Sequence, residues 1–105
     1  MEQANSEYID QLSGDNAEFR KKLIGILQRE LPEEVETYQS QIQNQNYLLA
    51  AGSVHKLKHK IGMLGLDKSY YIAEKFEDNL KENSTVLQAE FDEIIQIMQE
   101  FVDKL

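Results

Sequence analysis

The stretch that decides the fold is residues 47–65, YLLAAGSVHKLKHKIGMLG. At about 100° per residue, the apolar residues at positions 47, 50, 54, 57, 61 and 64 fall on one arc of a helix. We therefore predict a helix from about Tyr47 to Leu64, with that arc in the core and Gly65 as its end. His55 lies about 130° from the centre of the arc, so its imidazole is expected to point into solvent.

Apolar residues recur at helical spacing before this stretch as well. A short first helix is predicted at 6–14, capped by Ser6, and a second at 15–31, where Asp15 and Glu18 resemble a capping box. Pro32 is expected to break or kink that helix and to be the first residue of the next one.

After the central stretch, Asp67 and Ser84 are predicted to cap the last two helices. No alternating run indicates a strand. Because amphipathic helices joined by short turns pack as antiparallel neighbours, we expect an all-α fold. The expected architecture is an up-and-down antiparallel four-helix bundle with additional N-terminal helices, and residues 1–105 are expected to form a single domain.

Composition excludes several classes of protein. The 105 residues contain no cysteine, which rules out disulfides, thiolate zinc sites and thiol nucleophiles. A net charge of −8 disfavours nucleic acid, and no apolar run is long enough for a signal peptide or a membrane span. We expect a cytoplasmic monomer, and the initial Met1 favours a free-standing protein over a domain cut from a larger one.

The charge is unevenly distributed, because no acidic residue occurs between Glu36 and Asp67. Both histidines and three lysines lie in that gap. Lys58 is about 60° from His55 around the helix, so its side chain is expected to reach any negative group on the imidazole. Lys56 and Lys60 point about 100° to 140° away and are not expected to make that contact.

Small side chains are expected to leave a clear approach to the imidazole of His55. An exposed imidazole is largely neutral at neutral pH and has a lone pair that can accept a phosphoryl group. No acidic residue close in sequence could activate it, although folding could bring Glu74, Glu77 or Asp78 nearer. The residues that share its face, one or two turns away, are Ala51, Gly52, Lys58, His59 and Gly62.

The segment HKLKHKIGMLG resembles the signature of histidine-containing phosphotransfer (HPt) domains. In that signature a phosphorylatable histidine is followed by an aliphatic residue at plus two, a lysine at plus three and often a glycine at plus ten. His55, Leu57, Lys58 and Gly65 occupy these places, and Val54 fills the small apolar position before the histidine.

The resemblance implies a phosphocarrier of multistep two-component signalling, without kinase activity or a cofactor of its own. His55 would be the phosphoacceptor and Lys58 its electrostatic support. The partners would be receiver domains of response regulators or hybrid kinases, which supply Mg²⁺ and an acidic pocket. The receiver docking surface would then comprise Ala51, Gly52, Lys56, His59 and Gly62.

The chain departs from the family pattern at His59, where glycine is usual. We interpret this histidine as a partly exposed substitution without a chemical role. Two other interpretations stay open. A helical adaptor would bind a partner without phosphoryl transfer, whereas His55 and His59, at i and i+4, could chelate a metal ion. The second alternative lacks a third ligand and the glutamate of an HExxH motif, so no metal site is predicted.

Overall fold

The computed structural model describes residues 2–105, and this part of the chain contains helices and no strand. None of these helices is long and apolar enough to cross a membrane. In chain order the helices are α1 (Glu7–Ser13), α2 (Ala17–Gln43), α3 (Tyr47–Met63), α4 (Asp67–Lys81) and α5 (Gln88–Asp103).

The four long helices form a helical bundle, which confirms the predicted all-α class. α3 packs against α2 and α4, and α5 completes the ring by contacting the same two helices. At the centre, the ring centroids of Tyr38 and Phe76 lie 5.1 Å from that of Phe91, in edge-on and tilted arrangements. These three rings, from α2, α4 and α5, join the helices through aromatic packing.

The predicted helix break at Pro32 is wrong, since this residue lies inside α2, a single helix of 27 residues. Proline in a helix interior removes one hydrogen bond and costs about 3 kcal/mol. Pro32 itself is exposed, but the side chains on the opposite face of α2 form an unbroken buried row on both sides of it. Burying each such side chain gains about 1.5–3 kcal/mol, so the row outweighs the proline. Its members are Leu27, Leu31, Val35 and Tyr38.

Two predicted caps of the early helices differ from those observed. α2 is capped by Asn16, whose side-chain oxygen accepts a 3.0 Å hydrogen bond from the Phe19 N–H, and Asp15 lies one residue too early. Ser6 does stand at the N-cap of α1, but its hydroxyl donates to Asp10 at 3.2 Å instead of accepting from the backbone.

The predicted caps of the last two helices are also wrong. Asp67 is the first residue of α4, and Leu66 precedes it without a side-chain cap. Ser84 lies in the turn before α5, where its hydroxyl accepts from the Val86 N–H at 3.5 Å, and the helix starts at Gln88. A polar residue such as Ser84 in a turn offers the same local signal as a true cap, so the sequence pattern placed the start of α5 too early. For α4 the predicted start is one residue too late.

An N-terminal arm, residues 2–5, supplies the missing cap of α4. The carboxylate of Glu2 accepts hydrogen bonds of 2.8 Å from the backbone N–H groups of Lys68 and Ser69. Slight burial raises the pKa of Glu2, but these bonds outweigh that effect and hold it below its ordinary value. Asn5 adds a backbone bond, donating to the Leu64 carbonyl at 2.8 Å. The arm therefore joins the turn between α3 and α4.

Candidate functional site

α3 is oriented as its periodicity predicted. Its apolar arc is buried, and the imidazole of His55 remains 52% exposed on the opposite side. The exposed imidazole thus stands on a helix whose other face is fixed in the core, at Ala50, Val54, Leu57, Ile61 and Leu64.

Glu77 of α4 is the acidic partner of His55. Its two carboxylate oxygens lie 3.1 and 3.2 Å from the imidazole Nδ1, and its side chain is only 11% exposed. The two residues are 22 positions apart, and the packing of α3 on α4 brings them together. Sequence reasoning named Glu77 as one of three acidic residues that folding could bring close, and the structure selects it.

The carboxylate determines which imidazole nitrogen is free. Burial raises the pKa of Glu77, but hydrogen bonds from His55 and Lys58 and the charge of Lys58 outweigh it and leave the pKa below its ordinary value. Glu77 is therefore ionised at neutral pH and can only accept hydrogen bonds. Nδ1 of His55 must then carry the proton, which leaves the lone pair on Nε2. The ring nitrogen available for chemistry is therefore Nε2, the one away from Glu77.

Lys58 does not stretch along the surface as expected. It is buried, and its ammonium Nζ donates to Glu77 Oε1 at 3.3 Å. His55 Nδ1 lies 3.1 Å from that same oxygen, so one carboxylate atom joins both residues of the motif. The physical reason is the neighbouring helix, because a buried carboxylate attracts an ammonium more strongly than solvent-facing positions do.

The positive patch is smaller than the three lysines of α3, at positions 56, 58 and 60, suggest. Lys60 is also largely buried, with Nζ 2.7 Å from Glu34 and 3.2 Å from Glu30 on α2. Lys56 is exposed. Sequence reasoning missed Lys81 of α4, which is 52% exposed and has Nζ 3.4 Å from Glu77 Oε2. Its spacing of four from Glu77 is the signal that could have found it.

The small residues around His55 differ in their surroundings. Ala51 is 1% exposed and belongs to the hydrophobic core, so its side chain offers no surface to a partner. Gly52 is exposed, with open space where a Cβ would lie. Gly62 is half-buried, and a Cβ there would meet the ring of Tyr70 at 3.6 Å.

His59 stands beside the candidate nucleophile. It is exposed, and the ring centroids of His55 and His59 are 5.0 Å apart with their planes perpendicular. Within residues 2–105, no three His, Cys, Asp or Glu side chains are grouped so that they could hold a metal ion. The two rings therefore form an edge-to-face pair on the surface of α3.

Fold and site together define a class of protein: a helical bundle with an exposed imidazole, that of His55, oriented by a buried carboxylate. The model of the Hpt domain family matches residues 22–104, and the chain belongs to this family. Hpt domains are phosphocarriers of two-component phosphorelays rather than kinases, and they interact with receiver domains. No curated protein and no solved structure matches the chain significantly.

Proposed function

We propose that this chain carries a phosphoryl group on His55, accepting it from the aspartate of one receiver domain and passing it to another. The observation that carries the proposal is the contact of Nδ1 with Glu77, because it leaves Nε2 as a free nucleophile on an exposed ring. Residues 1–105 act as a single domain in this proposal, since the N-terminal arm and α1 pack on the matched helices. We place the protein in the cytoplasm.

The transfer follows from the geometry of the imidazole. The Nε2 lone pair attacks phosphorus, the Nε2–P bond forms, and the P–O bond to the donor aspartate breaks with its electron pair. The released aspartate is a carboxylate, while the proton on Nδ1 stays in place. The ring is thereby left with a positive charge that faces the ionised Glu77, which stabilises it. Transfer to the second receiver reverses these changes.

The positive groups have separate roles in this proposal. Lys58 supports the phosphoryl carrier indirectly, because its ammonium holds the carboxylate that orients His55. Lys81 has the exposure and flexible stem needed to approach a phosphoryl oxygen on Nε2. Mg²⁺ and the acidic pocket belong to the partner receiver, and the docking surface around His55 consists of Gly52, Lys56, His59 and the half-buried Gly62, without the buried Ala51.

The experiment tests the carrier with two phosphoryl donors. Potassium phosphoramidate phosphorylates histidine chemically, and a panel of receiver domains labelled on aspartate tests transfer between proteins. We expect acid-labile label on the wild-type chain from both donors and none on His55→Gln. If label persists in His55→Gln and disappears in His59→Gln, the phosphoacceptor is His59 and our proposal names the wrong histidine. A receiver that binds the wild-type chain without transferring label would instead indicate an adaptor.

A further inference from the structure

Tyr70 of α4 lies beside the site and contacts Lys58, a contact that the family motif does not predict. The Nζ of Lys58 lies 5.6 Å from the centroid of the Tyr70 ring. The same ammonium donates to Glu77, which lies seven residues, or about two turns, further along α4. Lys58 therefore contacts both an aromatic face and a carboxylate of α4, and its side chain is 10% exposed.

The ring of Tyr70 packs against α3 at Gly62. An added Cβ at Gly62 would lie 3.6 Å from Cδ2 and 3.8 Å from Cε2 of the ring, so the ring rests against the surface of α3. These are ordinary van der Waals distances, so a methyl group at position 62 would fit beside the ring. The half-buried Gly62 thus serves contact between the two helices, in addition to any approach of a partner.

We propose that Tyr70 is a positioning residue for phosphoryl acceptance. It confines the Lys58 ammonium to Glu77 and thereby keeps the carboxylate on Nδ1 of His55. This inference rests on the proposed function of His55. The contacts involve the face and edge of the ring, so the aromatic ring carries the effect and the hydroxyl does not.

The physical reason is the competition between water and the ring for one face of the ammonium. An ammonium over an aromatic face is attracted by the ring quadrupole, and the attraction is larger when water is excluded. Without the ring, Lys58 gains access to solvent and rotamers that leave Glu77. The carboxylate then has one fewer partner and is less firmly oriented toward the imidazole.

The first measurement follows Lys58 directly, in the full chain without any phosphoryl donor. Sulfo-NHS-acetate acetylates accessible lysines, and mass spectrometry gives the labelling rate at each one. In Tyr70→Ala we expect Lys58 to be labelled about two- to fivefold faster than in the wild type. Tyr70→Phe should restore the wild-type rate. Tyr8→Ala is the control, since it removes a tyrosine ring that is 45% exposed on α1, and the exposed Lys56 is the internal reference. Tyr71 is unsuitable, because its ring centroid lies 5.8 Å from that of Tyr70.

The second measurement is the rate of His55 phosphorylation by phosphoramidate, together with the ¹⁵N shifts that report the His55 tautomer. Tyr70→Ala should lower the rate about two- to fivefold and reduce the fraction with the proton on Nδ1, whereas Tyr70→Phe and Tyr8→Ala should match the wild type. If Tyr70→Ala does not fold, Tyr70→Leu takes its place, because leucine keeps apolar volume without an aromatic face.

The outcomes separate the two proposals. Wild-type labelling of Lys58 in the folded Tyr70 variant, with an unchanged His55 tautomer, overturns the role of Tyr70 while His55 phosphorylation stands. Faster labelling with a shifted tautomer supports it. If the wild-type chain takes no phosphoryl group on His55 although Lys58 and the tautomer respond, the proposed function fails and the positioning of Lys58 by Tyr70 stands.

Discussion

Replacing Glu77 by glutamine tests the central contact of the site. The amide keeps the size of the side chain and one acceptor oxygen, but it loses the charge and gains a donor group. It can no longer bind His55, Lys58 and Lys81 as the carboxylate does. We therefore expect Glu77→Gln to lower both the reactivity of His55 and the stability of the fold.

The structure sets the size of the two effects. Hydrogen bonds to a charged group contribute about 1.5–3 kcal/mol, and the half-exposed His55 belongs at the lower end. A loss of about 1.4 kcal/mol slows phosphorylation about tenfold. The buried Lys58 loses its anionic partner, at a cost of about 2 kcal/mol. This cost corresponds to a fall in melting temperature of about 10 °C for a domain of this size.

A second substitution separates these effects. In Glu77→Gln/Lys58→Met the unpaired ammonium is gone, and an apolar chain of similar length fills its place. Replacing a buried ion pair by apolar groups is often neutral for stability, so the double variant should recover most of the melting temperature. The slow phosphorylation should persist, because the double variant still has no carboxylate at position 77 to accept the hydrogen bond from His55.

The pH dependence of unfolding provides an independent check that ionised Glu77 stabilises the fold. The pKa of Glu77 is lowered in the folded chain, so its carboxylate stabilises the fold above the ordinary glutamate pKa of about 4.3. That stabilisation is lost as the pH falls through the lower folded value. The difference in melting temperature between wild type and Glu77→Gln should therefore be constant near neutral pH and shrink toward about pH 3.

The assay is the phosphoramidate reaction followed by thermal unfolding of the same samples. Glu74→Gln is the matched control, since Glu74 is exposed on the same helix one turn earlier. If Glu77→Gln reacts as fast as Glu74→Gln and melts at the wild-type temperature, then Glu77 neither orients His55 nor holds Lys58, and the reasoning about the site is refuted.

Three further predictions concern the scaffold, each measured by thermal unfolding. Glu2→Gln should cost about 0.5–1 kcal/mol at neutral pH by weakening the cap of α4, and the cost should vanish in acid, because the folded pKa of Glu2 is lowered; an equal cost at low pH would contradict this. Pro32→Ala should stabilise the chain by about 2 kcal/mol. The substitution restores a backbone hydrogen bond at an exposed position of α2, and this gain exceeds the loss of proline's rigidity in the unfolded chain. Destabilisation would show instead that proline stabilises α2 at this position. Gly65→Ala should cost more than about 1 kcal/mol, because its φ is +73° and a Cβ would collide with Asn5, whereas Gly52→Ala meets open space and should gain up to about 1 kcal/mol.

Helical periodicity was sufficient to orient α3. Val54, Leu57 and Ile61 repeat at a spacing that only one face can satisfy, so the exposure of His55 followed from the sequence alone. Pro32 shows where local rules fail, because the penalty of one residue was smaller than the burial energy of a whole row along α2.

The environment of the imidazole required the tertiary structure. Glu77 is 22 residues from His55, and three acidic residues of that region were equally plausible until the packing of α3 on α4 chose among them. The direction of Lys58 depended on the same packing, since its angle on the isolated helix left it free to follow the surface. Tyr70 carries no sequence signal for its contact, because its partner Gly62 lies on another helix.

The ion pairs of Lys58 and Lys60 affect the electrostatic interaction between this chain and an approaching partner. Lys58 is paired with the buried Glu77, and Lys60 with Glu34 and the 44% exposed Glu30, so neither lysine adds an uncompensated positive charge beside His55. The chain as a whole has a net charge of −8. Screening confines attraction and repulsion alike to about 8 Å at physiological ionic strength. An acidic partner therefore meets net repulsion once it comes within about this distance, and added salt should accelerate the encounter rather than slow it.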